Sequence, residues 1–164
     1  MNTHSGDRPL HLAVVMGTRP EAVKLAPLVL AAAAQPDRFK VDVVSTGQHK
    51  EMLASMLDWF GLKPSVSLDI MRANQDLAHI TMSSLSGIND WLKVSKPDWV
   101  IVQGDTTSAL AGAIAARPES TVVLTTGDGG GLMAIADLES AVRSARGHGI
   151  AVVWNDAAYG AEAS

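Results

Sequence analysis

The chain contains no cysteine among its 164 residues. Disulfide staples, thiolate metal sites and cysteine nucleophiles are therefore excluded together. The absence fits a reducing compartment and sets the expectation of a cytoplasmic protein. Aromatic residues make up only 4% and charged residues 18% of the sequence, while 47% is hydrophobic. That proportion is too apolar for a disordered polymer. With 13 Lys+Arg against 17 Asp+Glu and a formal charge of −4, no basic run exists, so no nucleic-acid footprint is expected. Residues 1–9 are polar and lack the basic-then-apolar layout of a signal peptide. The longest apolar stretch, residues 25–34, carries Pro27 and falls far short of a membrane span. No membrane partner is expected.

What remains is a regular alternation. Residues 10–16 (LHLAVVM), 41–45 (VDVVS), 99–102 (WVIV), 121–124 (TVVL) and 150–154 (IAVVW) are short and rich in β-branched side chains, hence strands. A weaker strand is expected at 65–68. Most are apolar on both faces, as central strands of a covered parallel sheet are. Between them the spacing predicts helices. Residues 21–34 are apolar nearly all round, which predicts a well-buried helix. Met52, Leu53, Met56, Leu57 and Phe60 form one stripe; Leu77, Ile80, Leu85, Ile88 and Leu92 form another, ended by Pro97. Helices at 109–116 and 132–142 complete the set. The expectation is α/β: a Rossmann-like, doubly wound parallel sheet of about six strands, with helices on both faces. Residues 1–9 would form a flexible tail and 10–164 a single domain.

In such sheets ligands bind at the carboxyl ends of strands, where the strand order reverses. The loop after the first strand is Gly17-Thr18-Arg19-Pro20-Glu21. Thr18 and Glu21 have capping-box spacing, and Pro20 falls in the first turn. Arg19 offers a fork suited to phosphate or carboxylate, with Lys24 about one turn further on. The same residues also read as a well-capped helix with a solvated arginine. In the next loop, Gln48 and His49 are candidates for hydrogen-bonding a sugar, although a loop histidine is more often simply exposed. Asp105, after the strand at 99–102, reads either as a general base or as a helix N-cap. Residues 127–131 contain four glycines around Asp128, a costly composition for plain scaffold, suited to wrapping a diphosphate beside a magnesium ion. Asn155 and Asp156 follow the last strand. A parallel neighbour arrangement would bring Asp128 and Asp156 to one sheet edge, and two unrelated turns are the plainer alternative.

These loops carry two resemblances. From about residue 10 to 116, the motifs MGTRPEAVKLAPL, STGQHKEML, MLDWFGL, ANQDLAHIT and PDWVIVQGDTTSALAGAIAA resemble the first domain of the non-hydrolysing UDP-N-acetylglucosamine 2-epimerases. The resemblance implies a two-domain fold with the active site in the cleft. It also implies interconversion of UDP-N-acetylglucosamine and UDP-N-acetylmannosamine by elimination and re-addition of UDP. Arg19, Lys24 and Asp105 match positions that contact substrate or act in catalysis, Asp105 being the catalytic candidate. Gln48, His49 and Glu51 lie in the motif that touches a second, regulatory sugar nucleotide in some members. The family's His-Val-Glu-Ala-Gly-Leu-Arg motif, its later catalytic acid and histidine, and its uridine-diphosphate-holding second domain have no counterpart here. Full epimerase turnover is therefore not expected.

From residue 117 onward, VVLTTGDGGGLMAIADLESAVRSARGHGIAVVWNDAAYGAE is similar to the cofactor segment of thiamine-diphosphate enzymes of the acetolactate-synthase and benzoylformate-decarboxylase type. That resemblance implies Gly127, Asp128 and Gly129 around a thiamine diphosphate. It implies Mg²⁺ on Asp128, Asp156 and the carbonyl of Ala158, with Asn155 as the alternative ligand. The chain thus reads as a chimera joined near residues 115–120, with 10–116 epimerase-like and 117–164 thiamine-diphosphate-enzyme-like. Three functions compete: a nucleotide-sugar binder, a magnesium-diphosphate binder, or a recombined fold without a ligand. Apolar surfaces left by an absent partner domain would favour self-association.

Overall fold

The short apolar runs pair into one parallel sheet. The computed structural model describes residues 8–71, 76–104, 106–116, 120–127 and 149–154. In chain order these form β1 (Leu10–Met16), α1 (Arg19–Ala33), β2 (Phe39–Ser45), α2 (Lys50–Trp59), β3 (Val66–Ser67), α3 (Leu77–Ser95), β4 (Trp99–Gln103), α4 (Thr107–Ala115), β5 (Thr121–Gly127) and β6 (Gly149–Trp154). The six strands lie in the order β3-β2-β1-β4-β5-β6, and every pairing is parallel. The expected α/β doubly wound architecture is the one observed.

Alternation along β1 divides the core into two layers. Leu12, Val14 and Met16 face α1 and α2 together with Val43, Ile101 and Val123. Ala13 and Val15 face α3 and α4 together with Val44, Val100 and Val102. A β-branched or aliphatic side chain buried this way contributes roughly 1.5–3 kcal/mol relative to an exposed one. Both faces of β1 are filled, so this strand is the centre of the fold. On the second face α4 lies unusually close to the sheet. A Cβ at Gly112 would meet Val102 Cγ1 at 2.7 Å, which explains a glycine in mid-helix despite its cost of roughly 1 kcal/mol there.

Several boundaries differ from expectation, each for a local reason. α1 starts at Arg19 because Thr18 occupies the N-cap with extended backbone angles. β2 begins two residues early, at Phe39, whose register partner is Leu10. β3 is only two residues long. α3 ends where Lys96 adopts a left-handed conformation just before Pro97. α1 is not buried all round. Ala22, Leu25, Ala26, Val29 and Ala32 are covered, whereas Val23, Leu28 and Leu30 are exposed. The helix has the sheet on one side only, and among the described residues no element covers its second apolar face. The expected helix at 132–142 lies outside the described residues. No helix among them is long and apolar enough to cross a membrane.

Candidate functional site

The order of strands reverses between β1 and β4, and three loops leave the carboxyl edge around that point. They follow β1 at Gly17 and Thr18, β2 at Thr46 to His49, and β4 at Gly104 and Thr106. The loops are fitted to one another without spare room. A Cβ on Gly17 would meet Ser108 Oγ at 2.0 Å and Thr46 Oγ1 at 2.5 Å. Those hydroxyls are 2.8 Å apart, and Ser108 donates onward to Gln48 Oε1 at 2.9 Å. The backbone N–H of His49 donates to Gly17 O at 2.9 Å. The first turn of α4 and the β2–α2 loop thus close on the backbone of Gly17, which has no side chain to hold them off.

Glu21 ties the remaining loop into this group. It is 1% exposed. Its Oε2 accepts from the backbone N–H groups of Gly17 and Thr18, the latter at 2.8 Å, and its Oε1 accepts from the Thr106 hydroxyl. Burial pushes the Glu21 carboxyl above its usual range, and the bonds from Thr106, Gly17 and Thr18 oppose that rise. Thr106 also accepts from Ala109 N at 3.1 Å and caps α4. The cap of α4 is thus the hydroxyl of Thr106, the residue after Asp105.

At the top of this packed floor stand two cations. Arg19 and Lys24 are both exposed, on the first turns of α1. Lys24 reaches the end of β4. With the Gln103 amide oriented so that its oxygen faces Lys24, that oxygen accepts from Lys24 Nζ at 3.2 Å and lies 3.2 Å from Gly104 N, whose N–H also donates to Thr125 O at 2.8 Å. Gly104 has φ +83°, a left-handed turn that favours glycine and folds the chain back over Gln103.

The expected site residues divide into three groups. Arg19, Lys24 and Gln48 are brought to the carboxyl edge together, with the Gln48 carbonyl already engaged by Ser108. His49 and Glu51 are exposed at the start of α2, where His49 makes no side-chain cap bond and Glu51 faces the helix N-terminus. Asp105, Asp128, Gly129, Asn155, Asp156 and Ala158 lie outside the described residues. Gly127 ends β5 in register with Trp154 of β6. Among the described residues no group of three His, Asp or Glu side chains could hold a metal ion.

Two participants were not foreseen as site residues: Gln103 and the hydroxyl pair Thr46–Ser108. A glutamine closing the apolar run WVIVQ is the one signal that pointed to Gln103.

Comparisons with known proteins bear on this edge. A sequence profile described as UDP-N-acetylglucosamine 2-epimerase matches residues 30–124. The match extends past the expected junction and into β5. The UDP-N-acetylglucosamine 2-epimerase of Bacillus subtilis is 45% identical over 109 residues, which is 66% of this chain and 28% of the relative. The chain thus spans little over a quarter of that protein's length. The structure of UDP-GlcNAc 2-epimerase from Neisseria meningitidis bound to UDP-GlcNAc superposes with a TM-score of 0.66 at 38% identity, over 71% of this chain and 31% of that one. The structure of Acinetobacter baumannii MurG covers 89% of this chain and 46% of its own, with a TM-score of 0.57 at 16% identity, a likeness of fold alone. None of these likenesses points to a thiamine-diphosphate enzyme.

Proposed function

Because the chain belongs to the UDP-N-acetylglucosamine 2-epimerase family, we propose that it is the sugar-nucleotide-binding half of such a protein's first domain. In this reading Arg19 and Lys24 take the anionic part of a UDP-sugar. Asp105 stands at the catalytic position, and Gln48, His49 and Glu51 line the neighbouring regulatory face. The observation that carries the reading is the placement of Arg19 at the start of α1 and of Lys24 Nζ at the end of β4, beside the strand-order reversal. Helix N-termini and arginine forks at such a place suit a phosphate.

Calorimetry with UDP-N-acetylglucosamine tests the reading. Weak heat that Arg19→Ala and Lys24→Ala both abolish supports it, and no heat at millimolar ligand overturns it.

One observation favours a second reading. β5 and β6 are parallel neighbours, with Gly127 and Trp154 in register. The chain therefore leaves both strands at the same edge, the arrangement an Asp128–Asp156 magnesium-diphosphate cradle needs. Thermal stabilisation by thiamine diphosphate with Mg²⁺ that disappears in Asp128→Ala would support it. Equal stabilisation in both chains would remove it.

A further inference from the structure

Gln103 is the last residue of β4, 5% exposed, in a strand whose preceding residues are apolar. An amide in such a place costs free energy unless its hydrogen bonds are made. A leucine or methionine would fill the same volume without that cost. In the amide orientation described above its oxygen accepts from Lys24 Nζ at 3.2 Å.

The partner it gives Lys24 is neutral, as Gln35 is for Arg38, whose guanidinium donates to the Gln35 side-chain oxygen at 2.9 Å. Among the described residues, Arg8, Lys40, Lys50 and Lys93 each face a carboxylate, at 2.6, 3.7, 3.0 and 3.1 Å. Lys24 is in none of these ion pairs and is held by a neutral amide instead. A carboxylate there would fix the ammonium and cancel its charge. An amide fixes it and leaves the charge available. A lysine tip otherwise roams a long flexible stem, and that freedom is lost on binding.

A second tether lies three residues earlier on the same helix, a spacing that puts both side chains on neighbouring positions. Glu21 accepts from Thr106 while Lys24 donates to Gln103. The turn between β4 and α4 is thereby bound to α1 at both of its ends.

We propose that Gln103 is a positioning residue: its amide aims the Lys24 ammonium, uncancelled, at the anionic part of the ligand taken up at the carboxyl edge. The proposal rests on the sugar-nucleotide reading, and its test separates the two.

The test is a double-mutant cycle on the 164-residue chain, using Gln103→Leu, Lys24→Met and the pair, with UDP-N-acetylglucosamine as probe. Gln103→Leu weakens affinity roughly tenfold, the size of one hydrogen bond to a charged group. In the Lys24→Met background the same change costs nothing further, because the ammonium it aimed is gone. A merely structural role would give the same loss in both backgrounds, and additive losses or an unchanged affinity overturn the proposal. Gln103→Met, which keeps the side-chain length, replaces Gln103→Leu if that variant does not fold. If the unmutated chain binds no UDP-N-acetylglucosamine, the functional reading fails by itself. The Lys24 side-chain NMR signals then decide: a shift toward free lysine in Gln103→Leu supports the aiming role, and an unmoved signal overturns it.

Discussion

Charged side chains at the two edges of the sheet are held differently. At the amino edge three basic side chains face carboxylates, while Arg38 donates to the Gln35 side-chain oxygen at 2.9 Å. Arg8 pairs with Asp98 at 2.6 Å, His11 Nε2 with Asp42 at 2.6 Å, and Lys40 with Asp42 at 3.7 Å. Asp98 also accepts from the backbone N–H of His11 at 2.9 Å. At the carboxyl edge Lys50 pairs with Asp69 at 3.0 Å, but beside the strand-order reversal charge meets neutral polarity. Glu21 is held by two backbone amides and a hydroxyl, and Lys24 by a side-chain amide. The first group is paired carboxylate to base within the fold. The second holds Lys24 outside the ion pairs formed among the described residues.

The contrast is sharpest for close packing, where the largest effect is expected. Gly17→Ala places a methyl within 2.0 Å of Ser108 Oγ. A clash of that depth moves the loops apart and should cost about 3 kcal/mol, read from urea denaturation, with loss of sugar-nucleotide binding. A stable, binding-competent variant would show that the three loops are not fitted to one another.

Next comes the amino edge. Asp42→Ala leaves the buried His11 ring without its partner and should cost about 2 kcal/mol while leaving ligand affinity unchanged. A fall in affinity would mean that the edges are not independent. The two carboxylates should also give opposite pH dependence. Burial alone would raise Asp42, but hydrogen bonds from His11 and Ser65, with the charges of Lys40 and His11, hold it below its usual range. Its stabilisation is therefore present above the ordinary aspartate range and is lost as pH falls through the lowered value. Glu21, raised by burial, behaves in reverse. Its folded form is favoured most below the ordinary glutamate range, and stability declines as pH rises through the raised value. Stability profiles of Asp42→Asn and Glu21→Gln should flatten below the ordinary aspartate range and above the ordinary glutamate range respectively.

The smallest stability effect belongs to Arg19. It is exposed and makes none of the ion pairs seen among the described residues, so Arg19→Ala should change stability by less than about 0.5 kcal/mol. Affinity for UDP-N-acetylglucosamine should nonetheless fall. A stability change larger than that would move Arg19 from the ligand's account to the fold's.

Much of this was legible in the sequence, because strands and helices of a parallel sheet are written locally. LHLAVVM and WVIV are too short and too β-branched to be anything else, and the Thr18–Glu21 spacing announces the cap that is found. The burial of α1 was misjudged because composition tells how apolar a helix is, not how many layers lie above it. Tertiary partners were the least legible. Gly17, Thr46 and Ser108 meet only because β2 and β4 flank β1, and no spacing along the chain encodes that meeting. His11 and Asp42 did leave a trace, as polar interruptions in apolar strands, which in a sheet covered on both faces must find one another.

The strand order also has a consequence in time. β1 precedes β2 and β4 in the chain and lies between them in the sheet, with Leu12 registered to Val41 on one side and to Trp99 on the other. One flank can close soon after β2 emerges, while the other stays bare until residue 99 has followed. During that interval the most apolar ribbon in the molecule has an open side, and the rate of folding is governed by how quickly a distant segment arrives to cover it.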